Sequence, residues 1–122
     1  MVHLFGHAAE EFGSTEQEIK ASVASQFYDD RISEYNVLAV WSSEPDYSMS
    51  CWLLLEKGGT LYEVEGGHCS CNGYEEQFLP AECPIEYLTN GSNWSLNRIR
   101  STDPEQWNDL LHSLGIQPRA EA

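Results

Sequence analysis

The feature that most limits how this chain can fold lies between residues 37 and 65. VLAVWSS (37–43), MSCWLLLE (49–56) and TLYEVE (60–65) are three runs rich in β-branched, aromatic and aliphatic residues, and Lys57-Gly58-Gly59 separates the last two. Runs of this kind bounded by turn residues read as strands, and the glycine pair gives a hairpin the backbone freedom it needs. Residues 37–43 are apolar on both faces, which marks a buried central strand. In 60–65, Leu61, Glu63 and Glu65 fall on one face and Tyr62 and Val64 on the other. One face of that strand is expected to be wet, as on an edge strand.

Helical signals flank these strands. Thr15 and Glu18 have capping-box spacing, and Ile19, Val23 and Phe27 recur every four residues, so a helix is predicted that ends near Tyr28. Near the other end, Asp103 caps, Pro104 takes the first helical position and Gln106 the capping-box position. Trp107, Leu110, Leu111 and Leu114 then form one apolar stripe, and Gly115 stops the helix. Residues 44–48 read as a turn, Pro84 to Thr89 as a short helix, and SLNRIRS (95–101) as a further strand. The first twelve residues carry no clear pattern. The predicted fold is a single α+β domain over residues 1–122. It has a small antiparallel sheet of three or four strands, with an N-terminal and a C-terminal helix packed on one face.

Charge restricts the partners. Twenty Asp and Glu stand against six Lys and Arg, a formal net charge of -14. No basic residue falls between Lys57 and Arg98, a stretch that holds Glu63, Glu65, Glu75, Glu76, Glu82 and Glu86. Such a surface repels phosphate backbones and anionic membranes, and attracts and steers a basic partner. No run approaches the roughly 20 apolar residues of a membrane span, and MVHLFGHAAEEF has neither the basic start nor the long apolar stretch of a signal peptide. A cytoplasmic location is therefore expected, where disulfides rarely persist.

The stretch GGHCSCNGYEEQ (66–77) admits several chemistries. His68, Cys69, Cys71 and Cys83 are four N/S side chains, the right types for a closed structural zinc site. Their spacing departs from paired zinc knuckles, since one residue separates Cys69 from Cys71 and only Cys83 follows. For redox or nucleophilic work, no Lys or Arg flanks the thiols, and Glu75 and Glu76 raise their pKa. The third reading is a tight turn, in which Gly66, Gly67 and Gly73 bend the chain, the cysteines pack, and Ser70 and Asn72 bond to backbone. Cys51, on the face of Leu53 and Leu55, reads as core. The chain has no phosphate-binding loop, dinucleotide fingerprint or G-x-S-x-G elbow.

The segment LLLEKGGTLYEVEGGHCSCNGYEEQFLP resembles a set of small uncharacterised proteins of bacteriophages and mobile elements. These carry a strand ending in Tyr-Glu-Val, then Gly-x-His-Cys-Ser-Cys-x-Gly-x-Glu-x-Gln and an aromatic residue. The matching positions are Tyr62, Glu63, Val64, Gly67, His68, Cys69, Ser70, Cys71, Gly73, Glu75, Gln77 and Phe78. The resemblance implies a phage accessory protein. For a compact acidic chain without enzyme motifs it points to an anti-defence inhibitor, such as an anti-CRISPR protein, that occupies the basic nucleic-acid channel of a host complex. On that reading the protein is not an enzyme and needs no cofactor, with zinc on the His-Cys-x-Cys segment as the alternative. The expected contact residues are Glu63, Glu65, Glu75, Glu76, Glu82 and Glu86, with Tyr74 or Trp94 as an aromatic anchor. Glu63 and Glu65 alternate about 7 Å apart, similar to successive phosphates.

Overall fold

The computed structural model describes residues 2–44, 48–68, 73–90 and 94–115. Five strands form one mixed sheet in sequence order: β1 (His3–Gly6), β2 (Asn36–Ser42), β3 (Met49–Lys57), β4 (Thr60–His68) and β5 (Ala81–Glu82). The helices are α1 (Ala8–Phe12), α2 (Glu16–Phe27), α3 (Ile85–Asn90), α4 (Trp94–Thr102) and α5 (Pro104–Ser113), with a 3-10 turn at Arg31–Glu34.

The three strands predicted between residues 37 and 65 and both flanking helices are present. The α2 capping box is complete: the Thr15 hydroxyl accepts from the Glu18 amide, and the Glu18 carboxylate accepts from the Thr15 amide. Asp103 caps α5, with Pro104 in its first turn. The centre of the expected turn at 44–48, residues 45–47, lies outside the described residues.

Three features differ from the sequence expectation. The sheet has five strands and is mixed, because β1 runs parallel to β2, pairing His3 with Ala39 through Gly6 with Ser42. Its four residues are too few to show a period. SLNRIRS is helical: Leu96 and Ile99, three residues apart, are both buried from α4. Helices also cover both faces of the sheet. Side chains alternate along β3, so Cys51, Leu53 and Leu55 enter one core with Ile19, Val23 and Phe27 of α2, while Trp52 and Leu54 enter a second core with Leu88, Leu96, Ile99, Trp107, Leu110 and Leu111. A strand apolar on both faces demands this, since leaving either face wet would expose several large apolar side chains, each worth about 1.5–3 kcal/mol when buried. The chain supplies the first cover between β1 and β2, and the second after β5.

Candidate functional site: the β4 edge and its acidic surroundings

The described parts of the stretch 66–77, residues 66–68 and 73–77, meet around a missing side chain. A Cβ on Gly66 would meet Tyr74 Cδ1 at 2.8 Å, Cys51 Sγ at 3.1 Å and Phe27 Cζ at 3.2 Å. The bare backbone lets the Tyr74 ring lie flat on Phe27, with centroids 4.9 Å apart and planes 10° from parallel. His68 meets the same ring edge-on at 4.5 Å. Beyond it, Gln77 places its amide on the outer edge of β4: Oε1 accepts from the Gly67 amide and Nε2 donates to the Gly67 carbonyl, both at 2.7 Å. This side-chain amide does for Gly67 what another strand's peptide would do.

These placements correct two expectations. Tyr74 is 1% exposed, so it is a core residue and not a surface anchor. Its hydroxyl donates to Glu11 Oε1 at 3.4 Å, an oxygen that also accepts from Ser42 Oγ at 3.0 Å. Cys83 cannot join His68 in one metal site. Its amide donates to the Leu61 carbonyl at 2.8 Å, placing it seven residues along β4 from His68, roughly 23 Å at strand rise. Cys83 also packs in the core of α3–α5, on the other side of the sheet from the Tyr74 ring that His68 touches. Among the described residues, no group of three His, Cys, Asp or Glu side chains is arranged to hold a metal. Cys69 and Cys71 lie outside the described residues, as does the side chain of Trp94.

The remaining thiols are poor nucleophiles. Burial pushes both Cys51 and Cys83 up to about 12. Burial, with Cys51 and Glu11 beside it, also raises Tyr74 above the ordinary phenol range. Cys51, Tyr74, Ser42 and Glu11 thus form a hydrogen-bonded network beside α1, in which burial keeps the Cys51 thiol and the Tyr74 hydroxyl protonated. It pins Tyr74 to the sheet. Nothing in the sequence spacing marked Glu11 or Gln77 for these roles, because both act through tertiary contacts.

The predicted acidic residues fall on both sides of the β4–β5 edge. Glu63 and Glu65 point to the face of α3–α5, as does Leu61. Glu82 pairs with Tyr62 and shares its face, and Glu75 and Glu76 ride on the segment that covers that face. Glu86 sits on α3. Glu65, Glu76, Glu82 and Glu86 are exposed. Glu63 is half-buried and accepts from Trp52 Nε1 at 3.0 Å; burial holds its carboxyl above the ordinary range against that hydrogen bond. The six carboxylates therefore wrap an edge instead of lying on one plane.

The described cations are all engaged within the molecule. Arg31 is clamped on Asp29, with Nη2 to Oδ2 at 2.7 Å, and Lys57 meets Glu34 at 2.7 Å. Lys20 lies 3.8 Å from Glu16. Arg98 stacks over Trp41, and Arg100 donates to Asn97 and lies near the Trp107 ring. Among the described residues, an open cleft of about 320 Å³ is lined by His3, Asp103, Glu105, Gln106 and Asp109, and another of about 230 Å³ lies at the β4–β5 edge itself, lined by Leu61, Glu82 and Cys83. No described helix is long and apolar enough to cross a membrane. Comparison with protein families, curated proteins and solved structures gives no match to this chain.

Proposed function

We propose that this protein is a non-enzymatic, phage-encoded inhibitor of the anti-CRISPR or wider anti-defence kind, acting in the host cytoplasm. It binds a basic, nucleic-acid-binding host complex and blocks its nucleic-acid site. The observation that carries this reading is the arrangement of charge. Each described Lys and Arg is occupied by a carboxylate, an amide oxygen or an aromatic ring of the same molecule, while the β4–β5 edge presents Glu65, Glu76, Glu82 and Glu86 to solvent. Carboxylates held on a rigid strand and its flanking turn substitute for phosphates against Arg and Lys, and the long-range field speeds encounter. Glu63 is tied to Trp52 and supports this surface from below.

The test is competition. Purified CRISPR effector complexes with their guide RNA are offered fluorescent target DNA, and the protein is titrated against it at increasing salt. Displacement of the DNA, weakening as salt rises, is the expected result. Replacing Glu65, Glu76, Glu82 and Glu86 together by Lys should abolish displacement while the protein stays folded. Displacement that survives both high salt and the fourfold reversal defeats the electrostatic mechanism, and failure across effectors of different types defeats the inhibitor reading.

A further inference from the structure

Tyr28 and Leu79 are 78% and 71% exposed, the two most exposed large apolar side chains among the described residues. They lie on segments that are tied together. Phe27 and Phe78, the residues just before them, meet edge to face with ring centroids 6.3 Å apart. Arg31 Nη2 donates to the Phe78 carbonyl at 2.6 Å, and its guanidinium lies over the Phe78 ring. Tyr28 is also held in the left-handed region, at φ 52° and ψ 45°, where it ends α2. Glycine is the usual residue at such a helix end, because a Cβ is disfavoured there. The chain thus keeps a large aromatic ring in a backbone position that disfavours it, and with little burial in return. That pattern fits a contact residue better than a folding residue.

The surroundings define the partner. Arg31, the nearby cation, is neutralised by its clamp on Asp29. Asp30, Glu76 and Glu82 are exposed on the same two segments and their continuation into β5. Leu79 runs through Pro80 directly into the acidic edge. Two exposed apolar side chains on tethered segments bordered by carboxylates complement apolar side chains bordered by Arg or Lys.

We infer that Tyr28 and Leu79 are the apolar centre of the surface that binds the basic partner, receiving an aliphatic or aromatic side chain flanked by arginine or lysine. This inference rests on the acidic-inhibitor reading and supplies its anchor, a role that buried Tyr74 cannot fill. Interfaces concentrate affinity in a few aromatic residues ringed by polar groups, and Tyr is among the commonest.

The test uses the full chain, isotopically labelled, and two synthetic peptides of equal length and charge. One alternates arginine with leucine, and the other alternates arginine with serine. Both are expected to shift the amide signals of Glu65, Glu76 and Glu82. Only the leucine peptide should shift Tyr28 and Leu79, and it should bind about tenfold more tightly. Tyr28→Gly should remove that gain while its melting temperature stays equal to the parent or rises; Leu79→Ser should reduce the gain independently. If the two peptides bind alike at the acidic edge and Tyr28→Gly changes nothing, the anchor is wrong while the electrostatic reading stands. If neither peptide binds, both fall. If Tyr28→Gly lowers the melting temperature by several degrees, Tyr28 is a folding residue and the inference is overturned. A dimer in sedimentation that Tyr28→Gly dissolves assigns the patch to a second copy of this chain, which also overturns it.

Discussion

The open edge of β1, and that of β4 where it runs beyond the two-residue β5, are closed by the same chemical group delivered in two ways. At β1, Gln106 Oε1 accepts from the Leu4 amide at 3.0 Å and Nε2 donates to the Leu4 carbonyl at 2.8 Å. At β4, Gln77 makes the same pair of bonds with Gly67. A primary amide carries one donor and one acceptor in peptide-like geometry, so it ends a ladder without offering a new edge. The supports differ. Gln106 stands in the first turn of α5, where Asp103 accepts from its backbone and from its Nε2, and the next residue is buried Trp107. Gln77 hangs from an irregular segment whose neighbour Glu76 has φ 63°. That segment is held by two aromatic side chains and by the absence of a third side chain at Gly66. A helix fixes one cap and a packed turn fixes the other, and the second support is the easier to remove.

Tyr74→Ala gives the largest expected effect. Losing a buried aromatic side chain costs about 3–5 kcal/mol, read as a drop in the urea midpoint. The Gly67 amide should then exchange with solvent much faster, while the Leu4 amide changes only as far as global stability falls. Tyr74→Phe, which keeps the ring but removes the bond to Glu11, should cost only about 1 kcal/mol. Equal losses in the two variants would mean that the hydroxyl network, and not the stacked ring, holds the turn. At the other edge Trp107→Phe is the informative contrast. Trp107 Nε1 is buried without a hydrogen-bond partner among the described residues, so part of the lost ring is offset by removing an unsatisfied donor.

Gly66→Ala comes next. A methyl group would sit 2.8 Å from Tyr74 Cδ1, and overpacking of this kind costs about 1–3 kcal/mol. In a Tyr74→Ala background the same substitution should cost far less, since the clash is gone. Additive losses in that double-mutant cycle would dissociate Gly66 from the ring and break the account of the turn.

How much of this was legible in the sequence follows from range. The capping box at Thr15–Glu18, the Asp103-Pro104 helix start and the 37–65 strands are local patterns, and each is present. The apolar run WLLL, with alternate side chains entering two cores, already called for cover on both faces. Reading SLNRIRS as a strand removed α4, one of the elements that supplies the second layer, although Leu96 and Ile99 have helical spacing. The site was read less well for the opposite reason. Glu63, Glu65, Glu75, Glu76, Glu82 and Glu86 fall on both faces of the sheet and on α3, and Tyr74 is buried because a glycine eight residues earlier makes room for it. The distance between His68 and Cys83 depends on where the chain turns back after Pro80. Neither fact has a period or a motif.

Removing the glutamines compares the caps directly. Gln106→Ala strands a part-buried amide and carbonyl of Leu4, so a loss of about 1–2 kcal/mol is expected. Gln77→Ala exposes groups that water can satisfy, and should cost less than about 1 kcal/mol. Its clearer sign is an opened β4 edge: faster exchange at Gly67 and association that grows with protein concentration. Association in Gln106→Ala but not in Gln77→Ala would reverse the ranking of the two edges.

The smallest effect lies at Glu63, on the strand whose edge Gln77 caps, and its sign depends on pH. Burial raises this carboxyl above its ordinary value, with Glu65 adding to the shift and the Trp52 N–H opposing it. When pH is below the value for an unfolded glutamate, the group is protonated in both states and adds no difference. As pH rises through the folded-state value, the unfolded chain has already ionised while the native one must place a charge in a half-buried site, so stability falls across that window. Glu63→Gln keeps an oxygen acceptor for Trp52 and carries no charge. It should therefore match the parent near pH 3–4 and exceed it at neutral pH, by less than about 1 kcal/mol because the site is partly solvated. Glu18 runs the other way: the Ser14 and Thr15 amides hold its carboxyl below the ordinary range, so its contribution is present at neutral pH and lost as pH falls. Thermal melts of Glu63→Gln and Glu18→Gln across this range should give difference curves of opposite slope. A Glu63→Gln curve that is flat, or that favours the parent at neutral pH, would show that Glu63 is fully hydrated. It would then belong with the exposed carboxylates offered to the partner.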